Sequence, residues 1–370
     1  MKVEKLLAAS GAACAADALA ARQYAWLSPA KIDYRSHSVQ IARESCVILL
    51  SFLNRRASLA SRIDLNSGEI TQSDGVLGMI TPAERRALSA FGEHIWRHGA
   101  RRDGLIIDAG PFVGASTLAL AEGLRRSGLT ERERRERIWS YDLFRTTRGM
   151  SASFFGPDGP KAGESFRALY ERNLAPFSDE VRVLEGDIAA ADPPDRPVAI
   201  LFVDILWNWA STLSFSRTFY PKLDPGRSVV LHQDFSYPYY PWLVISMGLL
   251  RDQLPLARTV PYSTAVFDVR RRLRARDIDD PRNVGVRHAL EIYDYFIGLM
   301  DGYPRGALAL GKALYLASHR RTSEARRLVA EVEDRHRDEP LVLQYVKSIL
   351  NYARLADDGA ARPLDEVSGF

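Results

Sequence analysis

Ile106–Leu124, IIDAGPFVGASTLALAEGL, is the stretch on which the fold turns. An apolar run ends in Asp108, glycines 110 and 114 bend the chain, and Ala115, Ser116 and Thr117 open an apolar-periodic helix. A strand, a glycine bend and a helix start gather backbone N–H groups and the positive end of a helix dipole, which favours an anionic or polar ligand. A dinucleotide fingerprint spaces three glycines as G-x-G-x-x-G. Here two glycines stand four apart with Pro111 and Phe112 between them, so a pyrophosphate is poorly accommodated. The same bend also serves simply to turn a corner, and its neighbours must discriminate.

Working outward, short β-rich runs alternate with helical stretches: RIWSYDLF (137–144), VRVLEGDI (181–188), VAILFVDI (198–205), SVVLHQDF (228–235) and LARTVPYSTAVFDVRRR (256–272). Strands alternating with helices imply a mostly parallel sheet covered on both faces. Ligands of such sheets lie beyond the carboxyl ends of the strands, where the strand order reverses. Asp108, Asp142, Asp204 and Asp234 each close a strand there, and Asp187 follows another. Five acids are thus expected along one sheet edge.

The flanks read differently. Residues 1–100 carry helical periodicity at 38–63 and again at 81–99, where Thr81 and Pro82 supply a cap and a first-turn residue. Residues 285–358 are helical once more, and their Ala, Leu and Tyr spacing resembles tetratricopeptide helix pairs over hardly more than one and a half repeats, so a packed helical appendage is expected ahead of a true repeat. The expected organisation is a helical cap (1–100), an α/β domain (101–275) and a helical C-terminal module (285–358).

Composition narrows the class. With 370 residues, 46% of them hydrophobic, the chain can build a substantial core. The formal charge of +4 resides in short arginine clusters without interleaved aromatics, which suits solvated helix faces rather than a nucleic-acid surface. Cys14 and Cys46 are the only cysteines, so a disulfide framework or cysteine metal site is not expected, and a cytoplasmic, reducing compartment fits. No run of 18 apolar residues marks a membrane span. The alanine-rich opening, with Asp17 inside it, reads as an amphipathic helix rather than a signal peptide.

DAGPFVGAST (108–117) resembles motif I of class I S-adenosylmethionine-dependent methyltransferases, often written E/D-x-G-x-x-x-G-x-S/T. The resemblance implies that Asp108, Gly110, Gly114, Ser116 and Thr117 surround the methionine part of S-adenosylmethionine, that Asp142 holds the ribose diol, and that Asp187 reaches the adenine. It also implies a Rossmann-like sheet, mostly parallel with an antiparallel last strand, for which the run at 256–272 supplies the closing pair. YPKLDPGRSVVL (220–231), together with Asp204, Ser211, Thr212 and Asp234, is similar to macrocin and sugar-type O-methyltransferases. In those relatives acids at the ends of strands four and five hold magnesium, so Asp204 and Asp234 stand as catalytic residues and as metal ligands by resemblance. Gln233 replaces the second acid that usually adjoins Asp234, which weakens that site. His232 is a further catalytic candidate, as general base for an acceptor hydroxyl, with a buried structural histidine the alternative.

Trp207, Trp209 and the aromatics of FSYPYYPWL (235–243) suit a small-molecule or saccharide acceptor, or equally a packed seam. The expected activity is O-methylation. The alternative is a cofactor-binding or scaffolding protein whose helical tail meets a protein partner or a second copy. The N/D-P-P-Y/F signature of nucleic-acid methyltransferases is absent after strand four, where VDILWNW stands.

Overall fold

A computed structural model of the chain describes residues 58–71, 75–76 and 78–364. The helical reading of residues before 58 lies outside the described residues.

The apolar runs become β1 (Leu105–Ala109), β2 (Ile138–Asp142), β3 (Val181–Glu185), β4 (Val198–Val203), β5 (Val229–His232), β6 (Leu256–Thr259) and β7 (Ala265–Asp268). They form one sheet in the order β3-β2-β1-β4-β5-β7-β6. Strands β1 to β5 pair parallel, whereas β7 runs antiparallel to both β5 and β6. The central strands β1, β4 and β5 are buried along their whole length, because a parallel sheet is covered on both faces. β3 lies at the sheet edge and exposes Arg182 and Glu185, a charged rim that discourages pairing with another chain. This strand order and polarity are those of a Rossmann-like methyltransferase sheet, as the sequence led us to expect.

Side-chain alternation splits the core in two. Leu105, Ile107, Leu201, Val203 and Val230 face one side of the sheet, and Ile106, Ile138, Ile200, Phe202, Val229 and Leu231 face the other. The second side is covered by α1 (Pro82–His94), α2 (Ala115–Arg126) and α3 (Arg167–Asn173). Thr81 and Glu84 close a capping box at the start of α1, with Pro82 in its first turn. The first side carries α4 (Trp209–Phe219) and α5 (Pro241–Leu249).

The C-terminal helices, α6 (Val286–Leu299), α7 (Gly302–Ser318), α8 (Thr322–Arg335) and α9 (Val346–Asp357), extend that same core. Phe296 of α6 is fully buried, with its ring 5.0 Å from Phe235 and 6.3 Å from Phe267 of β7. At the other end of the described chain, Asp268 accepts the Ala60 backbone N–H at 3.0 Å. Among the described residues no helix is long and apolar enough to cross a membrane.

Candidate functional site

Because β1 to β5 are parallel, Asp108, Asp142, Asp187, Asp204 and Asp234 all lie at the carboxyl ends of their strands, along one edge. The strand order reverses between β1 and β4, where the glycine bend sits. Gly110 (φ +90°) and Gly114 (φ +101°) both adopt the left-handed region that favours glycine. At Gly110 the need is doubled, since a Cβ there would lie 2.3 Å from the backbone oxygen of Asp204. The bend is therefore pressed against the end of β4, and its shape fixes where Asp204 begins.

Asp108, Ser116 and Thr117 differ from expectation. All three are buried, and the hydroxyls donate to the Asp108 carboxylate, Thr117 at 2.6 Å and Ser116 at 3.0 Å. Burial lifts the Asp108 carboxyl to about 7 in spite of those two donors, and the nearby Asp142 adds to the rise. These residues tie the start of α2 to the end of β1. They support the bend from below instead of presenting their polar atoms to a ligand.

Asp142 is half-buried at the tip of β2, accepting N–H groups from Phe144 at 2.8 Å and, more weakly, from Phe112 at 3.3 Å. Its carboxyl is lifted to about 6 by desolvation, which those backbone donors oppose. Phe112 itself has φ +51°, and its ring sits 4.5 Å from Phe154 and 5.4 Å from Phe166, so an apolar cluster flanks the bend next to Asp142. Asp187 is exposed and caps a short turn by accepting the Ala189 N–H at 2.9 Å.

Beyond β4 and β5, Asp204 and Asp234 line a small pocket of about 10 Å³, room for roughly one water-sized group, together with Gln233, His232, Trp207 and Tyr240. Asp234 holds φ +59°, an uncommon conformation for a residue with a side chain. Desolvation pushes the Asp204 carboxyl well above the usual range, and the negative groups Asp234, Glu84, Asp108 and Asp142 push it further. Asp234 is raised in the same way, by burial and then by Glu84, while Ser263 donates to it at 3.3 Å. The Asp204–Asp234 pairing expected of a metal site is thus present in part: among the described residues no group of three or more His, Cys, Asp or Glu side chains could hold an ion.

His232 is 1% exposed, and its Nε2 lies 2.7 Å from the hydroxyl of Tyr220. That hydroxyl also lies 3.4 Å from Met247 Sδ, and the other ring nitrogen of His232, Nδ1, has no hydrogen-bond partner. Burial drives the imidazole down to about 3. A base that weak takes up little of a hydroxyl proton near neutral pH, so the structural reading of His232 prevails over the general-base one.

The sequence did not disclose three contributors. Glu84, in the capping box of α1, is buried and accepts the Thr264 hydroxyl at 2.5 Å, which brings an extra carboxylate towards Asp204 and Asp234. Tyr303 of α7 and Tyr345, which precedes α9, join hydroxyls at 3.1 Å. The Tyr345 ring is 5.7 Å from Tyr237, itself 4.9 Å from Tyr240, and Asp234 acts on both Tyr303 and Tyr345 through its charge. The C-terminal helices therefore help to wall the acidic edge. A capping box at Thr81–Glu84 was the one local signal for any of these.

No family model and no curated protein matches the sequence. Among solved structures, the chain is similar to the calicheamicin methyltransferase CalS11, at 17% identity over 55% of this chain and 96% of that one, with a TM-score of 0.36. That likeness is too slight to carry an argument. The strand order, with β7 antiparallel between β5 and β6, is what gives the chain its Rossmann-like, methyltransferase-type fold.

Proposed function

We propose that the protein transfers the methyl group of S-adenosylmethionine to an oxygen of a small, hydroxylated, saccharide-like acceptor. The observation that carries this reading is the gathering of desolvated carboxylates, Asp108, Asp142, Asp204, Asp234 and Glu84, around the glycine bend of a methyltransferase-type sheet. The charged groups that act most strongly on Asp204 are Asp234, Glu84, Asp108 and Asp142, all acidic, a field that suits a cationic co-substrate. S-adenosylmethionine supplies that cation as a sulfonium, and with it an electrophilic methyl group.

In this reading the bend at Gly110–Gly114 receives the methionine part. Asp142 already orients both carboxylate oxygens with backbone N–H groups, and it accepts the two ribose hydroxyls with the remaining lone pairs. Exposed Asp187 lies towards the adenine. Asp204 and Asp234 hold the acceptor hydroxyl in line with the methyl carbon, and one of them takes its proton as the O–C bond forms and the S–C pair stays on sulfur. Their raised affinity for protons brings them closer to working pH than an ordinary carboxylate. A magnesium ion would find two carboxylates and the Gln233 amide here, an incomplete set by the measure of the resemblance, so no step is routed through a metal.

The test is incubation of purified protein with methyl-labelled S-adenosylmethionine and a panel of sugars and phenols. Label transfer that Asp204→Asn and Asp234→Asn both reduce supports the reading. Saturable S-adenosylhomocysteine binding without transfer to any acceptor would favour a non-catalytic cofactor-binding protein instead.

A further inference from the structure

The pocket over the ends of β4 and β5 has a polar wall rich in acceptors. Asp204 and Asp234 bring carboxylates, Gln233 is only 7% exposed yet its Oε1 has no hydrogen-bond partner, and Nδ1 of His232 is likewise unpartnered. Buried polar atoms without partners are rare in folded proteins, and the Gln233 oxygen in particular points to a donor that arrives from outside. Two aromatic rings share the lining with aliphatic side chains: Trp207, 38% exposed, stands edge to face with Tyr240 at 6.1 Å.

We propose that this pocket takes a protonated amine carried by the acceptor, so that the substrate class is an amino alcohol or amino sugar. The inference rests on the methyltransferase reading only in naming the ligand as the acceptor. An ammonium brings three donors and no acceptor, so it can take Gln233 Oε1 and one oxygen of each carboxylate, which leaves carboxylate lone pairs for the acceptor hydroxyl beside it. Its charge is attracted by the carboxylates. A divalent metal asks for more ligating side chains than converge among the described residues, while an ammonium needs only acceptors at hydrogen-bond length.

The test compares trans-2-aminocyclohexanol, protonated at neutral pH, with trans-cyclohexane-1,2-diol, which has the same shape without the charge. Binding is read by saturation-transfer NMR on full-length protein, with and without S-adenosylhomocysteine, for the wild type, Gln233→Leu and Asp234→Asn. Circular dichroism confirms folding of each. The amine should bind about tenfold tighter than the diol, a difference of about 1.4 kcal/mol, and both substitutions should erase most of that preference. Equal binding of the two probes, or a preference that survives both substitutions, overturns the proposal. So would magnesium binding that both substitutions abolish in a protein that ignores the amine. Binding of S-adenosylhomocysteine in the same samples judges the methyltransferase reading separately: its failure beside a retained amine preference sinks that reading and leaves the pocket's chemistry standing.

Discussion

Gly110→Ala puts the join between the bend and β4 under a calculable load. At φ +90° an L-residue costs about 1–2 kcal/mol over glycine. The new methyl group would also stand 2.3 Å from the Asp204 oxygen and 2.7 Å from its carbonyl carbon, both backbone atoms. Relief requires separating the ends of β1 and β4 by roughly 1 Å, an overpacking strain of about 1–3 kcal/mol. The total is about 2–5 kcal/mol, a large part of the stability of a typical domain. Gly128→Ala is the control. It has φ +77° in the exposed turn after α2, and a Cβ there meets nothing within 4 Å, so only the conformational cost of about 1–2 kcal/mol applies. Urea unfolding of both variants measures the difference, and S-adenosylhomocysteine titration reports on the site. Gly110→Ala should be the less stable by about 1–3 kcal/mol and should bind more weakly, since Asp204 is displaced. Equal losses in the two variants would refute the claim that the bend is braced on Asp204.

Other perturbations test other joints. The folded pKa of Asp108 is about 7 against an ordinary 3.8, so the folded state retains a proton that the unfolded chain releases. Its contribution to stability is full below the unfolded pKa and disappears as pH rises through the folded one. Asp108→Asn should therefore flatten the fall in urea midpoint between pH 4 and 7 relative to wild type, and parallel profiles would contradict the assignment. Tyr220→Phe leaves Nε2 of buried His232 without its hydroxyl partner and should cost about 1–3 kcal/mol in chemical denaturation. Phe296→Ala removes a ring that packs on Phe235 and Phe267, and a loss of about 3–5 kcal/mol in a single cooperative transition is expected. Separate melting of the C-terminal helices would show that they are not part of the sheet's core.

Much of this architecture was legible because it is written in short-range patterns. Alternating apolar runs ending in acids marked β1, β2, β4 and β5, and parallel pairing then aligned Asp108, Asp142, Asp204 and Asp234 on one edge. What stayed hidden depends on contacts between distant segments. Ser116 and Thr117 look like ligand donors at a helix start, yet their hydroxyls turn back to Asp108. Nothing near His232 in sequence declares that Tyr220 will occupy its Nε2 in a dry core. Glu84 is recognisable as a capping residue, but its second role depends on Thr264, 180 positions away. Helical periodicity marks the C-terminal region without saying which face docks, and only packing brings Tyr303 and Tyr345 to the acidic edge.

The central claim is tested most directly by calorimetric titration of the protein with S-adenosylhomocysteine, beside Asp142→Ala and the closer isostere Asp142→Asn, each with and without magnesium. We predict saturable binding to the wild type that needs no magnesium and that both variants lose or weaken at least tenfold, as expected when a carboxylate that grips a vicinal diol is removed. Absence of binding to folded wild-type protein, or unchanged affinity in both variants, would contradict the assignment of this edge to S-adenosylmethionine.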